Sequence, residues 1–444
     1  MITINGTEIT ELKYNGVEIE KAICNGVVVF EERKKNPGDI SIKTSADSIK
    51  LRVTTKDGSP CELWNGAKKI AEMQSGTHQT VSIPNNAEEI LIKGKDIQGL
   101  DCSNNRLTAL DVSGCTSLQH LDCSYNQLTT LNASDCTSLQ VLGCSSNQLT
   151  TLNASGCTSL QGLYCYYNQL TALNASGCTS LQGLGCSNNQ LTALNVSGLT
   201  SLQHLDCSFN QLTALDVSGC TSLQVLYCSY NQLTALDIRG LTSLQHLYCY
   251  NNQLTTLNVS SCTSLQRLEC YNNQLTAFDV SGCTRLQRLH CDRNQITSLN
   301  ISGCTSLQHL YCYYNQLTTL NVSGLTSLEV LECYRNKLTT LNVNGCTSLK
   351  RLVCFNNQLT SLAVSDLTSL QWLDCSNNKL SAEVFKKLFE DLPERKEKDG
   401  RVLLYKDGDS NYKDFPQPPK LAAAFKAAKA KGWKFYKNNW STEI

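Results

Sequence analysis

The sequence carries no net charge: Lys plus Arg and Asp plus Glu are 38 each in 444 residues. A chain without excess positive charge lacks the long-range attraction to phosphate that drives non-specific nucleic-acid binding, so nucleic acid is not an expected partner. No apolar run reaches the roughly 18 residues of a membrane-spanning helix, and no membrane insertion is expected. The start, Met1-Ile2-Thr3-Ile4, has neither the basic residues nor the apolar core of a secretory signal. That favours a cytoplasmic location, with a surface or phage-particle location as the alternative. Catalytic signatures are also missing: GxGxxG, Walker A, HExxH and GxSxG sequences do not occur. The expectation is a protein that is not an enzyme and uses no cofactor.

Close cysteine pairs are absent too, although there are 25 cysteines. The nearest two, Cys115 and Cys123, lie eight apart, which does not match the C-x2-C pairs of zinc sites. Disulfide-dense scaffolds are short secreted chains, and this one is long and shows no signal. The cysteine spacing has another origin. Stepping by 21 from Cys102 through Cys123, Cys144 and onward to Cys375 meets cysteine at all fourteen positions. Leu stands two residues before each, from Leu100 to Leu373, and Asn three residues after each, from Asn105 to Asn378. Five residues after each comes Leu, replaced once by Ile296.

One unit thus reads L-x-x-L-x-C-x-x-N-x-L, as in Leu118 to Leu128. It resembles the leucine-rich-repeat family, in a short bacterial form similar to internalin-type repeats. The resemblance covers residues 97–380. It implies an α/β-type repeat solenoid, mostly β: a curved array with one parallel strand per unit lining a concave face. The residues agree. Leu and Cys alternate with a polar position, the period of a half-buried strand. A single 21-residue unit cannot bury its apolar set alone, so stacked neighbours must form the core. The return segments, rich in Gly, Ser, Thr and Val, disfavour a helix and read as extended pieces and 3₁₀ turns.

A second column, thirteen residues after the first, is Cys in nine units and Leu at Leu199, Leu241, Leu325 and Leu367. Exchange with Leu marks a packing position, so the thiols are expected to be reduced core residues. The Asn column is expected to satisfy backbone groups where each strand turns.

Residues 1–34 repeat with period ten through Ile4-Asn5-Gly6, Tyr14-Asn15-Gly16 and Cys24-Asn25-Gly26. Asn-Gly between short apolar runs is the signal of a type I′ hairpin, which predicts a small β-meander. Its rhythm resembles short N-terminal modules of bacteriophage and prophage tail-associated proteins. Residues 35–96 read as strands (40–43, 49–55, 61–64, 80–83, 90–92) forming a β-rich N-terminal cap. Residues 381–444 read as an α/β C-terminal cap: a helix N-capped by Ser381 and ending before Pro393, a strand over 402–405, and a helix near 420–431. Six lysines and no acid lie between Phe415 and Thr442, read as a solvated outer face. Some bacterial leucine-rich-repeat effectors carry a C-terminal ligase domain built on a Cys nucleophile, but no Cys or His follows Cys375.

Candidate function therefore falls on the solvent-facing strand positions: three before, one before, one after and two after each strand cysteine. The first half is mostly small or plain there (Gly143, Ser145, Gly162, Gly183, Gly185, Ser187), with a cluster at Tyr164, Tyr166 and Tyr167. From Tyr227 onward the positions turn aromatic and charged: Tyr230, His246, Tyr248, Tyr250, Arg267, Glu269, Tyr271, Arg288 and His290, then Asp292, Arg293, His309, Tyr311, Tyr313, Tyr314, Glu332, Tyr334, Arg335 and Arg351. Tyr and Arg dominate interface hot spots. His246, Arg267, Arg288 and His309 would form a basic ridge. Strand alternation sends His290 and Cys291 to opposite faces, and only His290 and His309 could approach each other, so no metal site is expected. The reading is a monomeric, non-catalytic module binding a protein partner. The alternative is an adhesive component of a phage tail or bacterial surface, binding a receptor or glycan.

Overall fold

The alternation of Leu and Cys with a polar residue needs a strand with one inward face, and each unit supplies one three residues long. In the computed structural model, residues 35–444 other than 86, 88 and 398 are described in full, and within 1–34 only the backbone of six short strands. His246–Tyr248 pairs in parallel with Arg267–Glu269, matching Leu247 to Leu268. The 21-residue period sets this register, because a slip of one residue would turn the leucines out to solvent.

The Asn column ties each unit to its predecessor. Asn252 donates through Nδ2 to the carbonyls of Cys228 (3.0 Å) and Cys249 (3.1 Å), while its Oδ1 accepts from the Leu233 N–H at 3.0 Å. Groups that water would otherwise have to satisfy are thus paired inside the stack. The second cysteine column also does more than fill space. Cys157 Sγ lies 3.1 Å from the Ala133 carbonyl, Cys304 Sγ 3.2 Å from Val280 O and Cys346 Sγ 3.1 Å from Val322 O. A thiol is a small apolar group that can also donate weakly, which Leu cannot do. The twenty-four cysteines of residues 35–444 are all buried thiols; the side chain of Cys24 is not among those described.

Return segments turn through consecutive i,i+3 hydrogen bonds, such as Cys262 N–H to Val259 O and Leu265 N–H to Cys262 O. Short parallel pairs form beside them, as between Ala277–Asp279 and Ser298–Asn300. This matches the expected extended pieces and tight turns.

The chain forms two compact units, Met1–Leu170 and Thr171–Ile444, divided within the repeat array. In the first, Thr3–Ile4 pairs with Thr7–Glu8, Lys13–Tyr14 with Val17–Glu18, and Lys21–Cys24 with Val27–Glu31, each antiparallel. These are three two-stranded hairpins; their Asn-Gly residues lie outside the described residues. The next segment closes the end of the array at two places. Ser48–Thr55 runs antiparallel to the first repeat strand, Ile97–Asp101, and Ile40–Thr44 pairs with Leu107–Asp111 on the return side. One strand not foreseen, Lys68–Met73, pairs with Cys61–Asn65. At this end Asn105 exchanges hydrogen bonds with the Lys50 backbone in place of a preceding repeat.

The second unit carries ten parallel repeat strands from Gly183–Gly185 to Trp372–Asp374. Gly400–Tyr405 and Trp433–Lys437 continue them in parallel. Helix α1 (Ala382–Asp391) begins at Ser381, whose Oγ accepts from Val384 N–H. Helix α2 (Pro419–Ala430) crosses between the last two parallel strands. Phe385, Phe389, Phe415, Phe425 and Phe435 pack as one aromatic core. Trp433–Lys437 was hidden within the lysine-rich stretch, yet its alternation is visible afterwards: Trp433 and Phe435 are buried and Lys434 exposed. One of the six lysines is structural, since Lys431 Nζ donates to Glu390 O and Leu392 O at the end of α1. Asn411 closes the array: its Oδ1 accepts from Leu380 N–H and its Nδ2 donates to Cys375 O and Leu404 O.

Candidate partner-binding face

Alternation puts the strand leucine and cysteine inward, and the residues either side of them on the opposite face. In the second unit, register-matched pairing converts sequence columns into rows of rings. One residue before the cysteine, Tyr227 stacks on Tyr248 at 4.5 Å and His290 on Tyr311 at 4.1 Å. One residue after it, Tyr250 stacks on Tyr271 at 4.4 Å. Farther along the same row, Tyr313, Tyr334 and Phe355 stack at 4.5 Å each. Two residues after it, Phe209 stacks on Tyr230 at 4.2 Å. Tyr314 there lies beneath the guanidinium groups of Arg293 and Arg335, 5.0 and 4.9 Å from its ring centre.

That last column has an unusual backbone. Every described residue in it from Asn104 to Asn377 has φ near +50 to +58°. Asn suits this left-handed conformation and stands there in six units; Tyr, Phe and Arg do not share its local advantage. Tyr125, Tyr167, Phe209, Tyr230, Arg293, Tyr314 and Arg335 hold it nonetheless. Their side chains are carried at a backbone cost of the order of 1 kcal/mol each.

The charges sort themselves on the same face. Arg267 holds Glu269 at 2.5 Å, and Arg351 holds Glu332 at 2.9 Å. Glu269 is buried, a support beneath the rows with little surface to offer a partner. Arg288, Arg293 and Arg335 reach no carboxylate among the described residues. Asp292 interrupts the ring row between Tyr271 and Tyr313 and is only 2% exposed, its Oδ1 without a hydrogen-bond partner. Burial pushes its carboxyl up to about 6, against a hydrogen bond from Tyr313 that acts the other way. Burial and then the nearby Arg288 and Arg267 pull His290 down to about 4. It also lowers His246 and His309, helped by Arg267 and Arg288 respectively. The ridge of His246, Arg267, Arg288 and His309 is in register, but its histidines are held neutral and Arg267 is already paired. Its uncommitted positive charge reduces to Arg288. Desolvation pushes the hydroxyl of the half-buried Tyr334 up to about 12.

The equivalent face of the first unit is recessed. Arg52, Asp101, His120, Asp122, Gly143 and Tyr164 line a cavity of about 640 Å³. Tyr164 lies over Gly162, where a Cβ would come within 3.0 Å of its ring, and Tyr164 and Tyr166 stack at 6.2 Å. Tyr167 stands 62% exposed. Burial raises the strand thiols far from the range of a nucleophile, Cys249 to about 12. No three His, Cys, Asp or Glu side chains converge as a metal site among the described residues.

A stack of parallel strands, one per 21-residue unit with an internal asparagine ladder, defines a leucine-rich-repeat solenoid, and this chain belongs to the leucine-rich-repeat family. The family profile described as Leucine Rich repeats (2 copies) matches residues 95–135, 179–219, 221–261 and 263–303. Among solved structures, the functional domain of InlJ from Listeria monocytogenes, described as including a cysteine ladder, is 30% identical. That match covers 75% of this chain and 76% of the other, with a TM-score of 0.55. A leucine-rich-repeat protein of Leptospira interrogans is also 30% identical over 67% of this chain and 82% of its own, TM-score 0.58. YopM from Yersinia enterocolitica is 26% identical over 67% and 61%, TM-score 0.54. No curated protein matches. No helix among the described residues is long and apolar enough to cross a membrane.

Of the residues expected to bind, the structure brings together those from Tyr227 to Arg335, while Tyr164, Tyr166 and Tyr167 belong to the first unit. Sequence reasoning passed over Phe209 and Trp372. Phe209 sits before the aromatic stretch begins, although its column position is that of Tyr230. Trp372 lies under Arg351 and against Trp440 from the C-terminal cap, a contact no repeat pattern encodes.

Proposed function

We propose that this chain is a non-catalytic binding module that holds a protein partner on the strand face of Thr171–Ile444, the concave face in the family's arrangement. The observation that carries the reading is the set of stacked, half-exposed rings on consecutive strands, fixed by register and flanked by guanidinium groups. Rigid aromatic surface of this kind loses little side-chain entropy on binding. Residues in the left-handed column support it, since rings and arginines there stand where Asn would serve the backbone better. The test is to capture a partner from native lysate by crosslinking and titrate it against Tyr248→Ala, Tyr271→Ala and Tyr313→Ala combined. Affinity should fall about 30-fold or more, the scale of a hot spot of about 2 kcal/mol. Unchanged affinity in a folded variant would overturn the reading. A surface or tail-associated adhesive role, motivated by the three N-terminal hairpins, is the second reading. A glycan array with reproducible hits would favour it.

A further inference from the structure

The charges on the strand face of the second unit are not balanced in what they offer outward. Glu269 is buried against Arg267, Glu332 is held by Arg351, Asp292 and Asp374 are buried, and Asp206, half-buried, accepts from the Ser208 N–H. Arg293 and Arg335 are exposed, Arg288 is half-buried, and none of the three reaches a carboxylate. Arg293 and Arg335 are already positioned, because they come from the units before and after Tyr314 and both rest on its ring. A chain of zero net charge thus presents here a face whose uncommitted charge is positive.

The tyrosines decide what kind of anion fits. In the row that holds Tyr250, Tyr271, Tyr313 and Tyr334, each ring has one face packed on a neighbour at 4.4 to 4.5 Å, and Tyr334 has both. A nucleic-acid base stacks on an open ring face, and packing within the rows reduces the faces on offer while the hydroxyl groups remain. Protonated hydroxyls and guanidinium forks are donors, and their complement is a carboxylate.

We propose that this face binds an acidic segment of a protein partner, its Asp and Glu carboxylates pairing with Arg288, Arg293 and Arg335 and accepting from tyrosine hydroxyls. The proposal rests on the protein-binding reading above and adds the chemistry of the partner. In a polyproline II segment, carboxylates three residues apart lie on one side and span about 9 Å, close to the roughly 10 Å two-strand separation of Arg293 and Arg335.

The experiment titrates the full chain, by fluorescence anisotropy, with labelled octaglutamate, octalysine and a single-stranded oligothymidylate of equal charge. Octaglutamate should bind best, weakening about tenfold as salt rises from about 50 to about 300 mM, because exposed pairs are screened. The triple variant Arg288→Gln, Arg293→Gln, Arg335→Gln should lose about tenfold or more in affinity. Arg285→Gln, exposed on the return segment, should match the parent. Octalysine or the oligonucleotide binding better than octaglutamate, or full binding by a folded triple variant, overturns the proposal. If the tyrosine variants weaken a captured partner and the arginine variants do not, the protein-binding face stands and the acidic partner falls.

Discussion

Val141–Gly143 and Arg267–Glu269 occupy the same place in their repeats, with Leu142 and Leu268 equally buried. Beneath both lies the same ladder: Asn147 bridges Cys123 O and Cys144 O as Asn273 bridges Cys249 O and Cys270 O. Above the strands the two differ. The first unit keeps small residues and a recess; the second carries rows of rings and arginines. Structure and recognition are therefore encoded at separate positions, and the recognition positions can change without touching the core.

If that separation holds, the ladder should be equally costly to break in both units. Asn147→Ala and Asn273→Ala each remove one of the two asparagine hydrogen bonds that both bridged carbonyls accept, and leave the N–H of Leu128 or Leu254 buried without a partner, a loss of about 3 kcal/mol. Urea titration combined with hydrogen exchange around each site checks this; a large difference between the two would mean that the face contributes to the scaffold.

Asp292 and His290 offer a titration that exists only on the second face. Asp292 has a folded value raised to about 6 from 3.8, so the folded state takes up its proton first, and its contribution to stability is lost as pH rises from about 4 to 6. His290 has a folded value lowered to about 4 from 6.5, so its contribution is lost as pH falls through that range. The two slopes oppose each other in the parent. Asp292→Asn should leave a protein that loses stability on acidification, and His290→Gln one that gains it, each by up to about 3 kcal/mol. Thermal unfolding at pH 7 and pH 4.5 reads both signs, and a parallel shift in the two variants would refute the assignment.

The combined tyrosine variant should lose about 2 kcal/mol of binding and little stability, whereas Ser145→Ala on the first face should change neither. The smallest effect belongs to the left-handed column. Tyr125→Asn should raise stability by about 0.5–1 kcal/mol, because Asn adopts the φ of +56° more readily. A decrease in melting temperature would show that the exposed ring makes contacts that outweigh its backbone.

The repeat was legible because its periodicity is exact in Leu, Cys and Asn, and the strand face followed from alternation alone. What escaped was non-local. Asn411 completes the last repeat from 36 residues beyond Cys375, with no sequence period to announce it. Lys68–Met73 earns its place by pairing with Cys61–Asn65, since its own pattern is only partly buried. On the face, residue types were readable but their commitments were not. Glu269 and Arg267 cancel each other, Asp292 is covered, and the histidines are held neutral, all consequences of which side chains meet across strands. The left-handed column was hidden in plain view, since Asn recurs there often enough to suggest φ above zero.

Asn411 has a consequence for how long such a protein is. Each repeat asks its successor for one asparagine, and the C-terminal cap answers with a residue that mimics that successor. The cap therefore reads only the final repeat and is blind to how many precede it. Whole 21-residue steps could be gained or lost in the coding sequence between the ends without a new terminus having to evolve, so reach along a partner is an adjustable trait while the stop stays fixed.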